Sequence, residues 1–289
     1  MADRARSVRL DEAALADYAA TLAAASEPDP STHFAEADPE ARAAFVVCLG
    51  AINFGSGWWP TIRKRPGQSG YGTIAAGVTE RFRERGAWAA AELSELTPAE
   101  IAAVVGQDLG HPLLDDFAAA LRDVGQRVRD EHGGSFLALP GAAGGSAPAL
   151  AGLLAEWRAF GDASSYEGRP VPFFKRAQLV AADLDRFVTP LAAVDRLTAF
   201  ADNLVPHVLR VDGLLGLDPQ LAARIEAGEL LEHGSPEEVE LRACAVHAVE
   251  LLAGAGGLTP AEVDLALWTR GAQPRCKALP RPRCRNTAY

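Results

Sequence analysis

The stretch SPEEVELRACAVHAVELLAGAGGLTPAEVDLALWTR, residues 235–270, decides the fold class. It holds two helix starts of one design, Ser235-Pro236-Glu237-Glu238 and Thr259-Pro260-Ala261-Glu262. A third, Thr97-Pro98-Ala99-Glu100, lies upstream. In each, a hydroxyl caps free backbone N–H groups, proline fits the first turn, and the acid three residues on can close a capping box. Outward from these starts the period stays helical. Residues 11–25 are rich in Ala and Leu with charges at the front. Residues 112–131 form a long helical pattern ended by Gly133-Gly134, and helices over 173–187, 195–210 and 218–229 follow. No convincing run alternates β-branched residues; a short strand fits near Phe54 or over 169–173. The expected fold is all-α, mainly helical with few short strands. One domain spans 1–289, and the Gly-rich segment 139–148 is the candidate seam should the helices form two lobes. Its composition fits a plain surface loop equally.

Length and charge bound the function. The chain has 289 residues, 48% hydrophobic and 23% charged, ordinary for a globular protein with a sizeable core. No apolar run approaches the roughly 20 residues of a membrane helix, and residues 1–11 alternate charges without an apolar centre, so neither a membrane span nor a secretory signal is expected. The net charge of -10 lowers the expectation of duplex DNA binding, which relies on phosphate neutralisation. Cys48, Cys244, Cys276 and Cys284 form no CxxC pair, and the six histidines show no ligand spacing. These features point away from a zinc site and toward a reduced, cytoplasmic chain.

Four stretches carry chemistry. NFGSGWWPTIRKRPGQSGYG, residues 53–72, packs glycines, aromatics and basic residues into a loop. It reads either as a ligand platform or as a surface loop pinned by Trp58 and Trp59. In FFKRAQLVAADL, residues 173–184, Lys175 and Arg176 fall in the first turn of a helix, where the dipole disfavours cations. A bound anion such as phosphate would suit both; the alternative is solvated or acid-paired side chains. In DRLTAFADNLVPHVLR, residues 195–210, Asp195 can cap a helix whose apolar face is Leu197, Phe200, Leu204 and Val208. Pro206 should kink that helix and open space beside Asp202, which is then either a catalytic carboxylate or a solvated one. Leu139-Pro140-Gly141 with Gly144 echoes the turn of helix-hairpin-helix DNA glycosylases.

Several of these blocks, in order, resemble the queuosine salvage protein family. Its pattern is roughly F-Y/F-K-R-A-Q, then F-A-D-Y-R-x-P-Q, then E-V-E-I-R. Here those blocks are 173–178, 200–207 and 238–242, with INF at 52–54, GGSF at 133–136 and an Arg-rich end at Tyr289. The resemblance covers 52–289. Asn203 and His207 replace the family's tyrosine and glutamine, and NFGSGWWP and Asp264-Leu265-Ala266-Leu267-Trp268 depart from its other blocks.

The resemblance implies a helical fold similar to helix-hairpin-helix DNA glycosylases. It also implies hydrolysis of the N-glycosidic bond of queuosine 5'-phosphate to release queuine for tRNA modification. The partners are a small nucleotide and water, with no DNA, membrane, cofactor or metal. Asp202 would stabilise the oxocarbenium-like transition state and orient or deprotonate water. The 7-deaza base lacks N7, so its departure needs donors at N3 or O6. Lys175 is the first phosphate candidate, with Arg176 and Arg210 next. Asn53 lies in the substrate loop; Phe54, Trp58, Phe136 and Phe200 are the candidates for stacking on the base. Asp264 could pair with the cationic amine of the queuine side chain. The rival readings are a helix-hairpin-helix DNA glycosylase and a non-catalytic nucleotide-binding protein.

Overall fold

The computed structural model of the chain describes residues 1–22, 29–36 and 38–289. Among them are fourteen α-helices and four short strands, so the chain is mainly helical. All three expected starts open helices, at Pro98–Val105, Pro236–Gly256 and Pro260–Arg270. Thr97 and Thr259 make complete capping boxes with Glu100 and Glu262. Ser235 does not. Its hydroxyl accepts from Glu238 N at 3.4 Å, but the Glu238 carboxylate turns inward and faces Arg242 at 3.6 Å. Glu238 is 2% exposed, and a buried guanidinium is a stronger partner for it than a capping amide.

The Pro112–Glu131 helix ends where expected. Gly133 and Gly134 both take positive φ, and Gly134 N returns to Val128 O at 2.9 Å. The helix expected over 11–25 is shorter, a 3₁₀ turn Glu12–Ala14 followed by Leu15–Ala19; residues 23–25 lie outside the described residues. The helix expected from 218 to 229 spans Pro219–Glu226.

The helix expected over 195–210 is broken. Val194–Arg196 is one 3₁₀ turn, residues 197–203 are irregular, and the helix is Leu204–Val211. Side chains, not a helical ladder, satisfy the backbone between them. Gln178 Oε1 accepts from Thr198 N at 2.8 Å, Asp264 Oδ1 accepts from Phe200 N at 2.9 Å, and Arg242 Nε donates to Ala201 O at 2.9 Å. Pro206 therefore falls in the first turn of a short helix, where no N–H is needed, and kinks nothing.

The strand expected at 169–173 is Arg169–Pro172, paired antiparallel with Ala163–Tyr166. Glu167 and Gly168, both at positive φ, make its two-residue turn. No strand forms at Phe54. The N-terminal Val8–Leu10 pairs antiparallel with Leu215–Leu217. Two main apolar cores result. One is built from side chains of Phe34 to Leu197, including Leu139 and Ala147 of the Gly-rich segment. The other joins Val8, Leu15 and Ala19 to residues of the 199–276 region. The irregular segment 197–203 runs where one core gives way to the other, and it carries Asp202. No single helix among the described residues is long and apolar enough to cross a membrane.

Candidate active site

Asp202 precedes the Leu204–Val211 helix and holds its first turn. Its Oδ1 accepts from Leu204 N at 2.7 Å and from Val205 N at 3.0 Å. The two donors fix the carboxyl plane, and among the described residues Oδ2 carries no hydrogen bond. The side chain is half-buried, so this second oxygen has room for a ligand.

The backbone on either side is anchored by Arg242. This guanidinium is fully buried, with Phe173 and Tyr289 ring centroids at 3.9 and 4.5 Å. It pairs with Asp162 at 2.6 Å and faces Glu238 at 3.6 Å, while Nε holds Ala201 O, next to Asp202. Asp162 in turn accepts from Lys175 N at 3.0 Å. The anion at the start of the Lys175–Phe187 helix is thus the protein's own Asp162.

The two cations of that turn have different surroundings. Arg176 is fully buried, donates to the backbone carbonyls of Ala51 and Ala288, and lies over the Phe54 ring at 4.9 Å. It ties the end of the Pro39–Ala51 helix to the C-terminal tail and points to no open space. Lys175 is 5% exposed, and its Nζ donates to Asn53 O at 3.0 Å. Burial pulls its ammonium down to about 8, against the charges of Asp202, Asp264 and Asp162.

Asp264, on the Pro260–Arg270 helix, lies within electrostatic reach of Asp202. Burial and then the Asp202 charge push its carboxyl well above the usual range, while the bond from Phe200 N acts the other way. Burial thus disfavours the charged form of this carboxyl.

A third set of cations comes from the tail. Arg281 is influenced by Asp202 and by Arg283, and burial lowers its pKa. Arg210, Arg281 and Arg283 all act on buried His207. Arg210 donates to Pro280 O at 2.8 Å and thereby shapes the tail. Among the described residues, Arg281 and Arg283 side chains make no hydrogen bond or ion pair. Arg283, Asp202, Asn203, Glu238, Arg242 and Tyr289 line one small cleft. The sequence signal for these arginines was the Arg-rich end, which was read as a family mark and not as a source of ligands.

The aromatic candidates separate by burial. Phe54 and Phe136, 1% and 2% exposed, are core side chains without a free face for a base. Phe200 is buried beside Asp264, and Trp58 is half-buried. Gly57 and Gly70 of the 53–72 stretch serve packing within the protein. A Cβ at Gly57 would lie 2.4 Å from Cys284 O, and one at Gly70 would lie 2.5 Å from the Trp59 ring.

A helical chain with a fixed carboxylate, a buried carboxyl whose charge is disfavoured and nearby cations without partners among the described residues has the equipment for cleaving a glycosidic bond in an anionic substrate. The comparison with known families makes the class specific: the model of the queuosine salvage protein family matches residues 32–289. The chain is 34% identical to the queuosine 5'-phosphate N-glycosylase/hydrolase of Sphaerobacter thermophilus, over 99% of this chain and 94% of that protein. The protein of the same name from Dictyostelium discoideum is 28% identical over 80% of the chain and 73% of its own length. The one from Mus musculus is 31% identical over 49% of the chain and 44% of its own length. The chain belongs to the queuosine salvage protein family.

Proposed function

We propose that the chain hydrolyses the N-glycosidic bond of queuosine 5'-phosphate, with Asp202 as the catalytic carboxylate. The observation that carries this reading is the geometry of Asp202: one oxygen is held by two backbone N–H groups, the other is unengaged, and Lys175, Asp264 and Arg281 lie within its electrostatic reach. Family membership supplies the substrate class. As the C1'–N9 bond lengthens, the sugar develops oxocarbenium character, and the free Asp202 oxygen stabilises that charge and orients the attacking water. Water delivers hydroxide to C1', and its proton is taken up at the site. The base departs with donor help at N3 or O6 and takes up the proton that the water gives to the site. Arg281, Arg283 and Lys175 supply the cationic environment for the 5'-phosphate, a role that Arg176 cannot fill from its buried place against backbone carbonyls.

The test is chromatographic detection of free queuine after incubating the purified chain with queuosine 5'-phosphate. Release is expected, and Asp202→Asn, which keeps the helix cap, should lower kcat about 100-fold or more, the usual effect of removing one transition-state stabiliser. No release by the wild-type chain, or undiminished turnover by the variant, would overturn the reading.

A further inference from the structure

Asn203 is the next residue after Asp202 and is 5% exposed. Its side-chain Nδ2 donates to Pro282 O at 2.6 Å. Two side chains of the helix it opens hold the tail in the same way. His207 Nε2 donates to Cys276 O at 2.8 Å, and Arg210 Nη2 donates to Pro280 O at 2.8 Å. Positions 203, 207 and 210 carry the four- and three-residue spacing of one helix face, so the three donors form a row along the Leu204–Val211 helix. Beyond this row, Leu231 N donates to Arg283 O at 2.8 Å.

The tail needs these outside donors. Pro280 and Pro282 have no N–H and a fixed φ, so the run Pro280-Arg281-Pro282-Arg283 cannot build a helical or strand ladder of its own. Pinning its carbonyls fixes where its side chains leave the backbone. Arg281 stands between the held carbonyls of Pro280 and Pro282, and Arg283 follows with its own carbonyl held. Both guanidinium groups lack hydrogen-bond partners among the described residues. Asp202, Asn203, Pro282 and Arg283 line one cleft, so the bond from Asn203 joins the neighbour of the reaction carboxylate to the segment that carries the cations. An arginine on a loose segment gives up much conformational freedom when it grips an anion, and one whose backbone is already fixed gives up less.

We propose that Asn203 is a positioning residue: its amide fixes the tail so that Arg281 and Arg283 are set for the 5'-phosphate before substrate arrives, and Asn203 itself touches no substrate. The inference rests on the proposed function for its substrate and for the tail arginines. The measurement is the ratio of kcat/KM for queuosine 5'-phosphate over the unphosphorylated nucleoside. Four chains are compared: wild type, Asn203→Leu, the Arg281→Ala/Arg283→Ala double variant, and the triple combination. Leucine keeps the volume of the buried side chain and removes the donor. Asn203→Leu should lower the ratio about 3- to 10-fold, the effect of one hydrogen bond, with the change carried by KM for the nucleotide more than by kcat. In the arginine double variant the same substitution should leave the ratio where it is, because nothing remains to be positioned. Asn203→Gln, which keeps an amide donor, should restore part of the ratio. Equal loss of nucleotide and nucleoside turnover in Asn203→Leu, or the same fall in the ratio with and without the arginines, overturns the assignment of Asn203 while the proposed function stands. Absence of base release by the wild-type chain overturns the proposed function and this inference with it.

Discussion

Asp202 combines two roles in one side chain: it caps a helix with one oxygen and presents the other. That division explains why a residue with an ordinary structural task stays available for chemistry, and why Asn is the informative replacement. The cations around it fall into two kinds. Arg176 and Arg242 are buried and bound to carbonyls or acids, whereas Arg281 and Arg283 are half-buried and make no side-chain hydrogen bond among the described residues. The 5'-monophosphate should therefore be preferred over the unphosphorylated nucleoside through the tail arginines and Lys175. Arg281→Ala should cut the ratio of kcat/KM for nucleotide over nucleoside about 10-fold or more, since a charge-assisted contact contributes roughly 1.5–3 kcal/mol. Steady-state kinetics on both substrates checks this, and an unchanged ratio would place the phosphate elsewhere. Asp202, Lys175 and Asp264 can be singled out from sequence because each sits in a recognisable block. It could not separate Arg176 from Arg281, because both are arginines in basic stretches and only burial and partners distinguish them. The burial of Phe54 and Phe136 is hidden in the same way: an aromatic beside glycines reads alike whether it faces a ligand or the core.

At the scale of elements, the helix starts were legible because capping is local: hydroxyl, proline and acid fall within four residues. The break at 197–203 was not, because its backbone is satisfied by Gln178, Asp264 and Arg242, all distant in sequence. Glu238 left its capping box for a local partner, Arg242 one turn on in the same helix, once that turn is buried. The join between the Leu204–Val211 helix and the Pro274–Ala278 helix adds a pH dependence. His207 Nε2 donates to Cys276 O at 2.8 Å, which requires the proton on that nitrogen, and buried Nδ1 has no partner among the described residues. Burial, and then Arg281, Arg210 and Arg283, pull this imidazole down to about 4, with the Cys276 carbonyl acting the other way. Between about 6.5 and 4 the unfolded chain binds a proton that the folded chain refuses. The stability contribution is thus complete above 6.5 and is lost as pH falls toward 4, up to about 3 kcal/mol. Urea unfolding at pH 7.5 and pH 5 should show this loss, and His207→Gln, which supplies the family's usual residue and keeps an N–H donor, should show less of it. Equal acid sensitivity in both chains would remove His207 as the cause.

For the whole molecule, the decisive quantity is the charge. A total of -10 spreads repulsion for a polyanion over the surface, while Lys175, Arg281 and Arg283 gather positive charge at one place. A small pocket can hold one phosphate under those conditions; a duplex contacting many phosphates gains little and is repelled elsewhere. This separates a nucleotide hydrolase from a DNA glycosylase by salt dependence. Binding through several phosphates loses orders of magnitude in affinity between roughly 50 and 200 mM salt, whereas a single phosphate contact changes affinity only modestly. Turnover of queuosine 5'-phosphate should accordingly vary by less than about 10-fold over that range, and fluorescence anisotropy at low salt should show no specific complex with duplex DNA. Tight duplex binding together with excision of a base from the duplex would favour the glycosylase, because it would require a phosphate-contacting surface that the charge distribution of this chain opposes.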